Sequence, residues 1–365
     1  MAKKSEQIYQ EILTHIQNGV FGLDGPLPST SELSTMFNVS RPTIAKVYSR
    51  LKQEGYIDGS QGAKYYVKQF DKISSKYIFG ILAPRLDQDE SRIILDSLYS
   101  EIASLSNQYQ FSLLWAGMLT GSYDVQTILS NIENVIINYK KNNLNGIFFS
   151  PLEFHPYAKR INEGIITCLT KYQVPCILLE RDYCVFPARG QADLVSIDNI
   201  AAGYIVTRHF IKQGHKRIAF ILKSDSAHTI ALRIIGYKQA LMDANIEYDN
   251  NWIIQASQID ENIIKTLVKL DVKHVVCGND FTAMQLLSLN QRHYPQRRIF
   301  TISFDDAEYA SHLALPLSTY KQPLVSIART AVETLIQRVN DTTLPIRTIY
   351  VEGELVIRNS SEVLL

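Results

Sequence analysis

The stretch Leu27-Pro28-Ser29-Thr30-Ser31-Glu32-Leu33, followed by Phe37-Asn38-Val39-Ser40-Arg41-Pro42-Thr43-Ile44, decides how the first part of this chain folds. Ser29 and Glu32 stand in the S-x-x-E spacing of a capping box, in which the Ser oxygen takes an orphan N–H of the first turn and the Glu reaches back to the cap. A helix is therefore expected from Thr30 to about Phe37, with Asn38 and Val39 as the turn. Ser40 is a second N-cap, and Pro42 falls in a first turn, where its missing N–H costs nothing. The second helix runs to about Glu54 and stops at Gly55. Ile44, Val47, Tyr48 and Leu51 recur at helical spacing and face one way. Arg41, Thr43 and Lys46 lie off that stripe, near the end that a helix-turn-helix places in the major groove.

Outward from this pair, Tyr56-Ile57-Asp58 and Tyr65-Tyr66-Val67 flank the loop Gly59-Ser60-Gln61-Gly62-Ala63-Lys64. Two short β runs around a glycine-containing loop make a hairpin, a wing beside the helices. Ahead of the motif, Ile8, Ile12 and Ile16 give an amphipathic helix to cover it. Residues 5–68 thus resemble the winged-helix domain of the GntR family of bacterial regulators. The resemblance is carried by Leu27-Pro28-Ser29, Glu32-Leu33, Val39-Ser40-Arg41, Thr43-Ile44, Leu51, Glu54-Gly55 and Val67. It implies that Arg41 and Thr43 touch DNA and that Gly62 lets the wing approach the minor groove. Ser29, Thr30, Ser31, Ser40, Lys46 and Lys64 complete the expected DNA-facing set. The family often has Arg where Ser31 and Ala45 stand, and Lys64 replaces the second wing glycine. Up to Lys68 there are eight basic and six acidic residues, 8 − 6 = +2. That is a small footprint for phosphate binding, so order and spacing carry the reading.

At 365 residues, with 46% hydrophobic and 20% charged residues, the chain is long enough for two or three globular units. A net charge of +1 excludes a histone-like polycation. Cys168, Cys176, Cys184 and Cys277 show no C-x-x-C spacing, so reduced thiols and no metal site are expected. No signal-peptide pattern opens the sequence, and no apolar run approaches the roughly 18 residues of a membrane helix. A cytoplasmic protein without membrane contact is the expectation.

Gln69 to Lys76 is polar and reads as a linker, dividing the chain into 1–68, 69–76 and 77–365. Beyond it, short apolar runs alternate with helical patterns. The runs are Ile78–Ala83, Phe111–Trp115, Gly146–Ser150, Cys176–Leu179, Val195–Ile197, Ile218–Leu222, Val275–Cys277 and Ile299–Ser303. The helical patterns include Ile93–Leu105, Val125–Tyr139, Ala201–Lys212, Ile230–Ala244 and Phe281–Asn290. This alternation means α/β with parallel sheets, and there are too many strands for one compact sheet, so two lobes are expected. Ligands of such sheets bind at the carboxyl ends of the strands. Polar groups collect there, around Arg85 to Ser91, at Glu180-Arg181-Asp182, at Arg233, at Asn279-Asp280 and at Asp305-Asp306. Carboxylates and amides suit a hydroxyl-rich solute, Arg forks across two oxygens, and Trp115, Tyr183 or Phe281 offers an aromatic face. Taken singly, Asn199, Asn279 and Asp280 read equally well as helix caps, and Arg181 with Asp182 as an ordinary ion pair.

From Tyr77 to about Ser360 the chain resembles the effector domain of the LacI/GalR repressors, a periplasmic-binding-protein-like fold. The carrying segments are Val195-Ser196-Ile197-Asp198-Asn199, Gly214-His215-Lys216-Arg217-Ile218-Ala219-Phe220, Arg233 with Gly236-Tyr237, Asn279-Asp280, Phe304-Asp305-Asp306, Pro316-Leu317-Ser318-Thr319, Gln322-Pro323 and Arg358-Asn359-Ser360. The resemblance implies three crossovers, near 190, 320 and 344. It implies a ligand held by Glu180, Arg233, Asn279 and Asp305, with Arg181 beside them and Arg85, Glu90 and Ser91 closing the other side.

A GntR-type head on a LacI-type body resembles the arabinose-repressor subgroup. The fold expected is an N-terminal winged helix-turn-helix followed by a two-lobed α/β domain. The function implied is a homodimeric repressor on a pseudo-palindromic operator, controlled by a monosaccharide or, alternatively, by a nucleobase or small acid. No cofactor is expected. The sequence lacks a G-x-S-x-G elbow, an H-E-x-x-H pair, a Walker loop and a Schiff-base lysine motif, which argues against an enzyme. A sensor whose head serves only protein contact is a further alternative.

Overall fold

The computed structural model describes residues 8–9, 12, 26–37, 39–53, 56–59, 64–67, 75–83, 92–115, 124–153, 155–224 and 226–362. Gly62, Arg85, Glu90 and Ser91 lie outside the described residues, as do Asn38, Ile16 and most of the expected linker. The chain forms two compact units, 1–78 with 110–116, and 79–109 with 117–365.

In the first unit, the capping box forms as expected. The Glu32 N–H donates to Ser29 Oγ at 3.2 Å, and the Ser29 N–H donates to Glu32 Oε2 at 2.6 Å. It starts α1 (Thr30–Met36), and α2 (Arg41–Gln53) follows the turn. The predicted stripe Ile44, Val47, Tyr48 and Leu51 is buried, with Ile8, Tyr9, Ile12, Leu27, Leu33 and Ile57 in the same core. The strands β1 (Ile57–Asp58) and β2 (Tyr66–Val67) pair antiparallel, Ile57 opposite Val67. Leu27 donates its N–H to the Tyr65 carbonyl at 2.7 Å, and the buried Tyr48 hydroxyl donates to the Pro28 carbonyl at 2.6 Å. The segment that opens α1 is thereby tied to both the wing and α2.

From Tyr77 onward strands and helices alternate. In order the elements are β3 (Tyr77–Leu82), α3 (Arg92–Ser104), α4 (Ser106–Tyr109), β4 (Phe111–Trp115), α5 (Val125–Lys141), β5 (Gly146–Phe149), α6 (Ala158–Lys171), β6 (Cys176–Leu179) and β7 (Asp193–Ser196). Then come α7 (Asn199–Lys212), β8 (Ile218–Lys223), α8 (His228–Asp243), β9 (Ile253–Ala256), α9 (Glu261–Lys269), β10 (His274–Cys277), α10 (Asp280–His293), β11 (Phe300–Asp305) and β12 (Ser318–Lys321). Last are α11 (Leu324–Asn340), β13 (Thr348–Tyr350) and β14 (Glu354–Val356).

The first lobe is built on parallel strands in the order β13-β7-β6-β5-β3. The second has the order β14-β12-β11-β10-β8-β9, parallel except for β14 against β12. All eight predicted apolar runs are strands. β9, β12, β13 and β14 are additional. The central strands of each sheet are buried on both faces, which is why they read as continuous apolar runs. β10, for example, buries Val275, Val276 and Cys277 completely.

The chain passes between lobes three times: after β7, after β12, and between β13 and β14. The third passage, at about 351–353, lies later than the expected 344, because Thr348–Tyr350 first adds a strand beside β7. Before that passage α11 returns to the first lobe, where Ile327, Ala328, Ala331, Val332 and Leu335 are buried. An added Cβ on Gly146 would stand 2.8 Å from Leu335 Cδ1, so β5 needs glycine for the helix to lie this close. Asp193, 1% exposed, fastens the return: Arg338 donates to it from Nε at 2.9 Å and Nη2 at 3.1 Å, and the Arg347 N–H at 2.7 Å.

Candidate functional site

In the head, α2 presents Arg41, Pro42, Lys46, Ser49 and Arg50 to solvent while its apolar stripe faces the core. Arg41 and Lys46 thus stand where the sequence reading put them. Thr43 is half-buried, and its Oγ1 lies 2.9 Å from Ser40 Oγ, so the two hydroxyls bond each other at the helix start. Ser29 is exposed and bonded in the capping box, Thr30 and Ser31 are half-buried, and Lys64 is exposed at the wing. The wing glycine whose conformation the described structure requires is Gly59, which the sequence reading did not single out. Its φ is +143°, and a Cβ there would meet the Lys64 carbonyl oxygen at 2.7 Å. Lys52, near the end of α2, bonds the Gly59 carbonyl and lies 3.7 Å from Asp58. It links α2 to the wing.

In the body, four of the expected ligand residues come together at strand ends. Glu180 directly follows β6 and Asp305 ends β11, and both have positive φ, 64° and 111°. Such backbone costs on the order of 1–3 kcal/mol per residue and persists where the surroundings hold it, often at functional sites. Glu180 belongs to the first lobe and Asp305 to the second. Burial pushes the Glu180 carboxyl above the usual range; Arg181 opposes this, Asp305 adds to it, and Arg233 opposes it. The charges of the two lobes therefore act on each other across the cleft.

Arg233 is 5% exposed and reaches in from α8. Its Nε donates to Asn199 Oδ1 at 2.9 Å, its Nη1 to the Gly278 carbonyl at 2.7 Å, and its Nη2 to Asp305 Oδ1 at 3.4 Å. The Gln322 amide donates to the same Asp305 oxygen at 2.9 Å. Gln322 lies at the second crossover and Asn199 just past the first, so this cluster ties the two crossovers to the end of β11. Arg181 is 7% exposed and makes ion pairs with two acids, Glu180 at 2.6 Å and Glu153. Glu153 lies three residues past the Gly146–Ser150 run, with no local signal that pairs it with Arg181.

Asn279 accepts the Thr282 N–H at 2.9 Å, so its Oδ1 serves as the cap of α10. Asp280 is 1% exposed and structural: it accepts from the Ser303 and Thr319 hydroxyls and from the Ala307 N–H at 2.8 Å. Burial, then the Asp305 charge, pushes its carboxyl up to about 7. Of the aromatic candidates, Phe281 has Lys223 Nζ 5.8 Å from its ring, the Tyr183 hydroxyl takes the Gln191 N–H, and Trp115 is partly exposed in the other unit. A cavity of about 120 Å³ opens beside the first crossover; its walls include Glu180, Ser196, Asp198, Asn199, Thr229 and Leu232, from both lobes.

Among the described residues no group of His, Cys, Asp and Glu is placed to hold a metal, and no helix is long and apolar enough to cross a membrane. The arrangement offers hydrogen-bonding groups from both lobes, which is equipment for binding a small polar molecule.

Residues 4–67 match the family described as bacterial regulatory proteins, gntR family, and residues 207–361 match the periplasmic binding protein-like domain. The HTH-type transcriptional repressor PurR of Photobacterium profundum is 32% identical over 209 residues, which is 55% of this chain and 61% of that protein. The chain thus spans about 61% of the length of the first curated relatives it matches. The arabinose metabolism transcriptional repressor of Geobacillus stearothermophilus is 22% identical over 378 residues, covering 98% of this chain and 97% of that one. Among solved structures, a transcriptional regulator CelR-cellobiose complex shares the fold with a TM-score of 0.61 and 18% identity, over 92% of this chain and 100% of that one.

Proposed function

A gntR-type winged helix carried with a periplasmic-binding-protein-like body is the architecture of this chain, and from it we propose a sequence-specific transcriptional repressor of sugar-use genes, controlled by a small sugar. Residues 1–68 serve as the DNA-binding head and residues 77–365 as the effector-binding and dimerisation body, in the cytoplasm. The protein acts by binding, without catalysis. The observation that carries this reading is the match, along nearly the full length of both chains, to the arabinose metabolism transcriptional repressor.

Arg41 and its neighbours read base edges, while Lys46, Lys64 and the helix N-termini hold phosphates. A two-fold dimer requires a pseudo-palindromic operator. The sugar sits among Glu180, Arg233, Asn279 and Asp305, and Arg85, Glu90 and Ser91, outside the described residues, complete the proposed set. It shifts DNA affinity only through its different affinity for open and closed lobes. Couplings of about 1–3 kcal/mol, roughly 5–150-fold, are typical.

A melting panel of monosaccharides tests this directly, since a ligand at about 100 times its Kd adds roughly 2.7 kcal/mol to the native state. The sugar that raises the melting temperature is then added to operator titrations. A sugar that stabilises the protein without changing operator affinity would end the regulatory reading.

A further inference from the structure

We propose that the edge of the second lobe where β8, β10 and β11 begin is a second DNA contact, which holds the phosphate backbone without reading sequence. This contact is additional to the operator contact made by the head.

Three neighbouring strands are each entered through a basic segment. Lys212 closes α7, and Lys216 and Arg217 lead into β8. Lys269 closes α9, and Lys273 leads into β10. Arg297 and Arg298 lead into β11. The acids within these segments or bonded to them are Asp271 and Glu362, which gives 7 − 2 = +5. The whole chain is +1, so everything else carries 1 − 5 = −4. The basic stretch ends at β9, whose leading loop holds Glu247 and Asp249 instead.

The strand register brings the cations together. His274 pairs with Ile218 on one side and Phe300 on the other. Adjacent strands lie about 4.8 Å apart. Arg217 and Lys273 therefore stand on neighbouring backbones, and Lys216 and Arg298 on backbones about 10 Å apart. The rings of His215, His274 and Phe300 stack along the same edge, with centroids 3.5 Å and 4.9 Å apart, and hold the three entries in register.

Little of this charge is neutralised. Arg217 meets Asp271 at 2.5 Å, and Arg297 turns to the Leu267 and Val272 carbonyls. Lys212, Lys216, Lys269, Lys273 and Arg298 are exposed, and among the described residues they make no ion pair. The helix dipole accounts for Lys212 and Lys269, which sit in last turns. It fades beyond the last turn, so Lys216, Lys273 and Arg298 need another reason. No exposed large apolar side chain lies in these segments, whereas protein interfaces have an apolar or aromatic core. A phosphate backbone needs only cations, each of which releases counterions. The head, at +2 over residues 1–68, supplies little of that general attraction. Once it holds DNA, the effective concentration for a second contact rises.

The test titrates the full-length protein with a random-sequence duplex, an operator duplex and poly-glutamate over a range of salt. One variant combines Lys212→Gln, Lys216→Gln and Lys273→Gln. A control combines Lys140→Gln, Lys141→Gln and Lys159→Gln, which are exposed on the first lobe and change the net charge equally. On random duplex the first variant is expected to lose about 2–3 from the log–log salt slope, about 0.9 per phosphate contact, and at least roughly tenfold in affinity at about 0.1 M salt. The control is expected to keep its slope, and both are expected to keep the operator preference that the head sets. An unchanged slope in the first variant, or an equal fall in both, overturns the inference. Poly-glutamate binding that matches the duplex at equal salt also overturns it, and makes the edge a docking surface for acidic protein. If the combined variant does not fold, Lys216→Gln and Lys273→Gln are each expected to lower the slope by about 0.9, and no change in either overturns the inference. Wild-type protein that shows no operator preference overturns the regulator reading instead, whatever the slopes.

Discussion

A Cβ on Gly203 would fall far inside van der Waals contact with the backbone carbonyl oxygen of Arg233. The relation is reciprocal. A Cβ on Gly236, one turn beyond Arg233, would strike the Ile200 carbonyl and stand 2.7 Å from the Tyr204 nitrogen. α7 and α8 therefore pack backbone to backbone, and this contact fixes how far Arg233 extends toward Asp305. Gly236→Ala is expected to force the helices apart, at about 1–3 kcal/mol for a crowded core. The melting temperature should fall and sugar binding should weaken. Unchanged values for both would show that the helices separate freely.

This contact marks where sequence reading stops. The Ser29–Glu32 box, the stripe on α2 and the eight apolar runs were legible because each is a local pattern of a few residues. Arg233 and Asp305 were legible as polar groups past strands. Their partners were harder to see. Glu153 sits 28 positions before Arg181, and Asn199 34 positions before Arg233, so only the fold brings them together. β13 has only three residues, too few to stand out as an apolar run, which is why the third crossover is expected too early. Gly59 carried no special signal beside Gly62, since either can serve a hairpin.

Asp305→Ala removes the acceptor shared by Arg233 and Gln322. Arg233, 5% exposed, then loses its only ion-pair partner among the described residues. A cost of roughly 1.5–3 kcal/mol is expected, typical of hydrogen bonds to charged groups. Operator binding should persist and become unresponsive to sugar. A normal sugar response in gel-shift titrations would remove Asp305 from the effector site.

Arg41→Ala tests the head without touching the cleft. Arg41 is exposed at the start of α2. If it reads a base pair, its loss costs about 1–3 kcal/mol of discrimination and lowers operator affinity roughly 5–150-fold. If it holds a phosphate instead, affinity falls equally on all sequences and the salt slope drops by about 1. Comparing operator with random DNA at several salt concentrations separates these outcomes. Sugar binding should be unchanged in both. Unaltered DNA affinity would remove α2 from the interface.

The pH dependence of stability has a clear sign at His274. Its ring stacks on His215 at 3.5 Å and on Phe300 at 4.9 Å, with Phe210 at its edge. Burial, then His215 and Lys273, pushes it down to about 4 from an ordinary 6.5. A depressed folded value means that stability is fully present above about pH 6.5 and is lost as pH falls toward about 4. Denaturant melts should show this decline, and His274→Phe should reduce it. An equal decline in that variant would place the acid sensitivity elsewhere.

Glu180 titrates with the opposite sense, and ligand affinity reveals it. Burial raises its carboxyl above the ordinary value, so the folded protein holds a proton there at a higher pH than the unfolded chain does. Keeping Glu180 charged therefore costs stability above that pH, and acid relieves the cost. Its use as an acceptor for a ligand hydroxyl requires the charged form. Protonation turns one oxygen into a donor and removes the charge that strengthens the bond. Sugar affinity is thus expected to fall as pH drops through the raised titration of Glu180. Sugar binding should release protons there, which calorimetry in buffers of different ionisation heat detects. Glu180→Gln cannot take up this proton, so its weaker affinity should be flat over the same range. A wild-type profile that is equally flat would mean that Glu180 does not touch the ligand.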